Sequence, residues 1–220
     1  MKFLGFLGMV RVKICGITSI EDALLSVRGG AVALGFNFFS GSPRYIEPEH
    51  AAHIIKMMPP FIHMVGVFVN ENPDVVKAVV SQCRLDCIQL HGDESIEYCE
   101  QMRWKKLIKA IRVKTEEDIE KLPSFPVDYF LLDTYHVCSY GGTGKQFNWK
   151  FLNKIDTSMK TKIIIAGGIT PKNVSDLLKT YTPEVIDVCS GVESAHGKKD
   201  CNLMNSLFKI VSSYNVRNTV

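Results

Sequence analysis

Two residues that can carry a proton stand where short apolar stretches end. Cys15 follows a stretch with β-branched residues at 12 and 14 and precedes Gly16, and Asp133 follows the apolar residues 129–132. A thiol can serve as a base or a nucleophile, and a carboxyl group can serve as an acid. Each also has a structural alternative, because free cysteine is often buried and aspartate often caps a helix. Whether Cys15 and Asp133 have a catalytic or a structural role therefore depends on the strands and helices that carry them.

The hydrophobic pattern predicts strands and helices in alternation. Apolar and β-branched stretches predict strands at residues 10–14, 31–36, 62–69, 86–90, 107–111, 129–132, 162–166 and 185–188. Helical spacing, capping residues and prolines predict helices at residues 19–28, 47–58, 72–79 and 94–102, from 115, around 149, from 171 and at 202–211.

Eight strands alternating with eight helices, at about 25–30 residues per unit, favour a single (β/α)8 barrel, the TIM barrel. An open doubly wound sheet is the alternative, but it calls for a glycine-rich fingerprint after the first strand, and residues 15–18 do not supply one. We expect residues 10–220 to form one barrel domain. Residues 1–9 are predicted to be an N-terminal extension or the start of the first strand.

Composition narrows the class of protein. The chain has 220 residues, 46% of them hydrophobic and 22% charged, and its net charge of +3 is too small to suggest nucleic acid or an anionic membrane as a partner. Seven cysteines without a C-x-x-C pair favour free thiols in the cytoplasm. The apolar N-terminus resembles the start of a signal peptide but lacks a small-residue cleavage site. His50 and His53 have no evident third ligand, so we expect no metal.

In a parallel barrel, the carboxyl ends of all strands surround one mouth, where active sites lie. Glycine-rich segments follow predicted strands six, seven and eight, and their backbone N–H groups suit a phosphate: Gly142, Thr143 and Gly144, then Gly167 and Gly168, then Ser190 and Gly191. Arg44, in the loop after strand two, suits a carboxylate, although a solvated loop arginine is the alternative. Cys15 and Asp133 are predicted to face each other across this mouth as base and acid.

The motifs at these strand ends resemble those of the phosphoribosylanthranilate isomerase family. The matching segments are KICGIT at 13–18, GF at 35–36, SPRYI at 42–46, QLHG at 89–92, LD at 132–133, GTG at 142–144, AGG at 166–168, SGVE at 190–193 and KD at 199–200. The order of the motifs is that of the family from residue 12 to the last helix. Cys189, Asn148 and His196 depart from it, standing where the family usually has serine, aspartate and proline.

The resemblance implies an Amadori rearrangement in tryptophan biosynthesis, without a metal or cofactor. The substrate would be N-(5-phosphoribosyl)anthranilate and the product 1-(2-carboxyphenylamino)-1-deoxyribulose 5-phosphate. It further implies that Asp133 is the general acid and Cys15 the general base, and that Arg44, Gln89 and His91 contact the substrate. We expect a monomer or a homodimer.

Two other functions share parts of this pattern. A sugar-phosphate epimerase or the related histidine-pathway isomerase would share the glycine loops. The first would be expected to carry histidine metal ligands, and the second an aspartate in place of Cys15. A non-catalytic barrel predicts the loss of one proton carrier, yet both are present.

Overall fold

The computed structural model of the protein describes residues 9–120, 122–134 and 148–218. Eight parallel strands close into a barrel in chain order, with β1 hydrogen-bonded to both β2 and β8. The (β/α)8 barrel predicted from the sequence is therefore confirmed. The strands are β1 Arg11–Cys15, β2 Ala33–Asn37, β3 His63–Phe68, β4 Cys87–Leu90, β5 Lys106–Val113, β6 Tyr129–Thr134, β7 Ile163–Ile165 and β8 Val185–Val188.

Seven α-helices occur within the described residues, where eight helices were predicted. They are α1 Ile20–Gly29, α2 Pro48–Lys56, α3 Pro73–Cys83, α4 Ile96–Met102, α5 Glu117–Glu120, α6 Val174–Thr180 and α7 Cys201–Asn218. No helix in this part of the chain is long and apolar enough to cross a membrane.

The helix predicted around Trp149 is instead a pair of 3-10 helices, Trp149–Lys154 and Thr157–Lys162. The side chain of Asn148 accepts a hydrogen bond from the backbone of Lys150, and Asp156 does the same for Ser158. Each of these side chains caps the start of its own helix. Two short 3-10 helices therefore form in place of one longer helix.

A small hairpin that the sequence did not predict follows the barrel. After a 3-10 turn at Ser190–Val192, the antiparallel strands β9, Glu193–Ala195, and β10, Lys198–Lys199, pair with each other. Backbone N–H of Lys199 donates to Asp22 of α1 at 2.9 Å, which fastens the hairpin above the first βα unit.

The turn after β1 is built for close packing. Gly16 has a φ of 74°, and a Cβ placed on it would lie 2.7 Å from the Cδ atom of Arg44 and 3.0 Å from the sulfur of Cys189. Ser19 then caps α1 by accepting a hydrogen bond from Asp22. Glycine at this position lets the end of β1 touch the loops after β2 and β8.

The interior of the barrel holds an ion pair as well as apolar side chains. Lys13 in β1 is in register with Asp187 in β8, and its Nζ atom lies 2.9 Å from the Oδ1 atom of Asp187, with both side chains almost fully buried. Burial raises the pKa of Asp187 to about 7, against the opposing effect of Lys13. Burial likewise opposes the charge on Lys13, but Asp187 and Cys15 raise the pKa of Lys13 above its ordinary value. In this buried pair, each charged side chain is therefore stabilised by the opposite charge of the other.

Replacing Lys13 with methionine is expected to lower the free energy of unfolding by about 3–5 kcal/mol, because Asp187 is left in the barrel without its partner. The double variant Lys13→Met with Asp187→Leu should recover most of that loss, since neither position then leaves a buried charge without its partner. Urea unfolding followed by circular dichroism measures both.

Arg11 and Glu184 provide a matched control, because they join the ends of the same two strands at the surface, with side chains 51% and 36% exposed. Arg11→Met should lower the free energy of unfolding by less than about 1 kcal/mol. Equal losses for Arg11→Met and Lys13→Met would contradict the importance of burial here.

Candidate active site

A pocket opens among the carboxyl ends of the barrel strands. Eight residues predicted from the sequence line it, namely Cys15, Arg44, His91, Asp133, Gly167, Gly168, Ser190 and Gly191. Gly142, Thr143 and Gly144 lie outside the described residues. Gln89 is almost fully buried, and its amide nitrogen lies 2.9 Å from the Nδ1 atom of His91, so it supports a lining residue from behind.

The thiol of Cys15 stands at the end of β1 among positively charged groups. Lys13 lies below it in the same strand, and the Nζ atom of Lys199 lies 2.7 Å from the carbonyl oxygen of Cys15. A hydrogen bond with the Cys189 thiol lowers the pKa of Cys15 well below its ordinary value. Burial opposes this shift, and the charges of Lys13 and Lys199 reinforce it. The site therefore favours a thiolate at Cys15.

The same surroundings favour the protonated form of the Cys189 thiol. The hydrogen bond with Cys15 and burial raise the pKa of Cys189 well above its ordinary value. Its sulfur lies 3.8 Å from the carboxylate of Glu193, which also disfavours a second negative charge. The thiol of Cys189 is the donor in this contact with the Oε1 atom of Glu193.

Asp133 ends a chain of three buried polar side chains. Its Oδ1 atom accepts a hydrogen bond from the backbone of Thr134 at 2.7 Å, and its Oδ2 atom lies 3.1 Å from the Nε2 atom of His91. When the amide nitrogen of Gln89 donates to Nδ1, the Nε2–H group of His91 faces a carboxylate; when the amide is turned, Nε2 accepts from a protonated Asp133. The chain can thus accommodate Asp133 with or without its proton.

Arg44 is not the solvated loop arginine that was the alternative to a carboxylate-binding role. Its Nε and Nη2 atoms donate to the carboxylate of Glu193 at 2.9 and 2.7 Å, and the ion pair is buried. Lys199 donates to the same carboxylate at 2.8 Å. Burial raises the pKa of Glu193, but its bonds to Arg44 and Lys199 outweigh that and lower it overall. Two cations share one anion, so the cluster keeps a net positive charge beside the pocket.

The glycine segments after β7 and β8 press against their neighbours. Gly167 and Gly168 have φ values of 84° and 64°. A Cβ on Gly167 would lie 2.4 Å from the hydroxyl of Thr134, and one on Gly191 would lie 1.8 Å from the carbonyl oxygen of Ile169. Within the described part of the chain, the amides of Gly167 and Gly168 donate to no protein acceptor. This arrangement leaves N–H groups for an anion.

Sequence reasoning missed part of this site. Glu193, Lys199 and Asp187 were not singled out, and Cys189 was noted only as a departure from a family pattern. Glu193 and Lys199 do lie within the short motifs SGVE and KD, but nothing in the spacing of those motifs shows that they meet. Among the described residues, no three side chains of His, Cys, Asp or Glu converge as metal ligands would.

Comparison with known proteins gives a consistent result. A sequence profile for N-(5'phosphoribosyl)anthranilate (PRA) isomerase matches residues 12–210. The N-(5'-phosphoribosyl)anthranilate isomerase of Trichlorobacter lovleyi is 46% identical over 201 residues, which cover 91% of this chain and 97% of that protein.

Solved structures agree with the sequence comparison. A phosphoribosyl anthranilate isomerase in complex with reduced 1-(o-carboxyphenylamino)-1-deoxyribulose 5-phosphate is 39% identical, with a TM-score of 0.80, covering 93% of this chain and 100% of that one. Monomers of the dimeric phosphoribosylanthranilate isomerase from Thermotoga maritima are 38% identical, with a TM-score of 0.81 and the same coverage. With the profile matching most of its length, this chain belongs to the N-(5'-phosphoribosyl)anthranilate isomerase family.

Proposed function

We propose that this chain converts N-(5-phosphoribosyl)anthranilate into 1-(2-carboxyphenylamino)-1-deoxyribulose 5-phosphate, a step of tryptophan biosynthesis. The observation that carries the proposal is that Cys15 and Asp133 line one pocket, at the ends of β1 and β6, in a chain of this family. The reduced product bound to the relative has the same carbon skeleton as the proposed product. The reaction only moves protons within the substrate, so its chemistry calls for no redox cofactor.

Asp133 is the proposed general acid. It donates a proton to the ribose ring oxygen, and the carbon–oxygen bond of the ring opens to give an imine. His91 and the backbone of Thr134 hold the carboxyl group in place. Gln89 holds His91 in turn, so its role is to position the acid through that histidine and not to touch the substrate.

Cys15 is the proposed general base. It removes the proton from the carbon next to the imine, which gives an enolamine that tautomerises to the ketone. A thiol at its reference pKa of about 8.5 is mostly protonated at neutral pH. The hydrogen bond with Cys189 and the charges of Lys13 and Lys199 counter this by lowering the pKa of Cys15.

The two anionic ends of the substrate would bind on different sides of the pocket. The phosphate would lie against the backbone amides of Gly167, Gly168, Ser190 and Gly191, with Gly142, Thr143 and Gly144 as further predicted contacts. The anthranilate carboxylate would lie against Arg44, whose Nη1 atom has no acceptor among the described residues. Glu193 fixes the other edge of that guanidinium, so the free edge is held in one orientation.

The proposed setting is the cytoplasm, where the six described cysteines, all free, would remain reduced. The dimeric relative from Thermotoga maritima makes a homodimer the first assembly to test. Sedimentation of the purified protein measures this directly.

Cys15→Ser and Asp133→Asn should each lower kcat by about 10²–10⁴-fold, because each removes one proton-transfer step. Product affinity should change much less, since neither side chain is proposed to hold an anionic end of the ligand. The measurement is turnover of phosphoribosylanthranilate generated in situ, with product binding followed by fluorescence. Cys201→Ser, at an exposed position in α7, is the matched control and should keep its rate. Rates within a few-fold of the unmodified protein would rule out the assigned roles.

Arg44→Ala should weaken binding of the reduced product about tenfold to a hundredfold, because a charge-assisted bond contributes about 1.5–3 kcal/mol. Inorganic phosphate lacks the aromatic acid and should bind the variant as it binds the unmodified protein. Titrating the Arg44→Ala variant once with the reduced product and once with inorganic phosphate measures both affinities.

The double variant Arg44→Ala with Glu193→Gln tests whether the effect comes from the arginine itself. Glu193 keeps Lys199 as its partner in the single variant, and its charge is removed in the double variant. Both variants should show the same selective loss. A parallel fall in affinity for both ligands would mean that Arg44 holds the phosphate or the loop.

A further inference from the structure

Cys15 ends β1, and Cys189 directly follows the end of the neighbouring strand β8. The register of β1 and β8 pairs Lys13 with Asp187 and Ile14 with Val188, and each cysteine is the next residue after this last pair. A single ammonium group spans the two backbones, since Nζ of Lys199 lies 2.7 Å from the carbonyl oxygen of Cys15 and 3.4 Å from that of Cys189. The two cysteines are thus held side by side where the strands end.

Their side chains also point the same way. Lys13 and Asp187, each two residues before one of the cysteines, meet inside the barrel at 2.9 Å. Both cysteines line the pocket, and a Cβ placed on Gly16, the residue after Cys15, would lie 3.0 Å from the sulfur of Cys189. Neighbouring strands lie about 4.8 Å apart, and a disulfide requires a Cα separation of about 4.4–6.8 Å, so the ends of β1 and β8 place the two cysteines in the range that a disulfide can span.

We propose that Cys15 and Cys189 form a redox modification site, at which a hydroperoxide produces an intramolecular disulfide that a thiol reductant reverses. The consequence for turnover rests on the proposed function, because the disulfide would remove the thiolate assigned as general base. The pair would then stop the enzyme under peroxide without irreversible damage.

The chemistry balances in two steps. The Cys15 thiolate attacks one oxygen of hydrogen peroxide, the oxygen–oxygen bond breaks, and hydroxide leaves, so Cys15 becomes a sulfenic acid. The sulfur of Cys189 then attacks the Cys15 sulfur, a sulfur–sulfur bond forms, and the hydroxyl group leaves as water while Cys189 gives up its proton. The two sulfur atoms lose two electrons in total, and one peroxide is reduced to one water and one hydroxide, which takes a proton from the solvent to become the second water.

Three of the other four described cysteines are poorly suited to this reaction, and the fourth, the exposed Cys201, has no place in the pocket. Burial raises the pKa of Cys83 and of Cys99 to about 11, and it also raises the pKa of Cys87. A protonated, buried thiol reacts slowly with peroxide. Cys15 combines a favoured thiolate with a place in an open pocket and a second thiol within contact, so oxidation should begin there.

The test is peroxide treatment of the intact protein, followed by alkylation of remaining thiols, trypsin digestion without reductant and mass spectrometry. Residues 14–28 and 180–198 each contain one cysteine and are tryptic products. A species joining these two peptides should accumulate and should disappear with dithiothreitol. Turnover should fall in step, on the order of 10²-fold as expected for loss of a general base, and should return on reduction. Bound reduced product should slow the crosslink, because it covers the pocket.

Variants separate this pair from other thiols, with each activity compared with that of the same variant before oxidation. Cys189→Ser should form no such crosslink, and after prolonged peroxide treatment its loss of turnover should not be recovered with dithiothreitol, because the Cys15 sulfenic acid has no partner and oxidises further to the sulfinic acid, which dithiothreitol does not reduce. Cys201→Ser should behave like the unmodified protein.

Three results would overturn the proposal: no crosslink between these peptides in the unmodified protein, a crosslink of Cys15 to Cys138, or full reversibility in Cys189→Ser. If the crosslink forms while turnover is unchanged, the modification site stands and the role of Cys15 as general base is wrong.

Discussion

The buried ammonium group of Lys199 is the contact on which the arrangement of the pocket depends. Its side chain has no exposed surface, and it donates to the carbonyl oxygens of Cys15 and Cys189 and to the carboxylate of Glu193. One cation thus satisfies the ends of two barrel strands and an acidic side chain of the hairpin that follows them. Because a buried charge without partners is unfavourable, these groups keep their places together.

The two proposed proton carriers are controlled by different means. Around Cys15 the main agents are charges and a neighbouring thiol, which act through space on a sulfur that has few strong hydrogen bonds of its own. Around Asp133 the agents are directed hydrogen bonds, one from the backbone of Thr134 and one shared with His91. A soft, polarisable base and a geometrically fixed acid therefore stand in the same pocket, each suited to losing or gaining one proton without moving far.

Much of the fold could be predicted because hydrophobic periodicity alone reports a parallel barrel. The positions of Cys15 and Asp133 followed from it, since a strand end in such a barrel is also a place at its mouth. The partner of Arg44 could not be predicted in this way. Glu193 lies 149 residues further along the chain, in a short polar hairpin without apolar alternation. No local sequence pattern therefore predicts that it pairs with Arg44. The helix type of the segment from Trp149 could not be predicted either, because two capping side chains, Asn148 and Asp156, start two separate 3-10 helices there.

The contact of Gly191 with the carbonyl oxygen of Ile169 has a consequence for how this barrel can be altered. The loops after β7 and β8 interlock through their backbones, and Gly167 locks the first of them against Thr134 in the same way. A longer loop placed at one of these positions would collide with the other loop. The two loops therefore have to be exchanged or redesigned together. The loop after β2 reaches this side of the barrel through flexible side chains such as Arg44, whose Cδ atom faces Gly16. Changes to the pocket are therefore easiest on the β2 side, while the side formed by the loops after β7 and β8 stays nearly fixed.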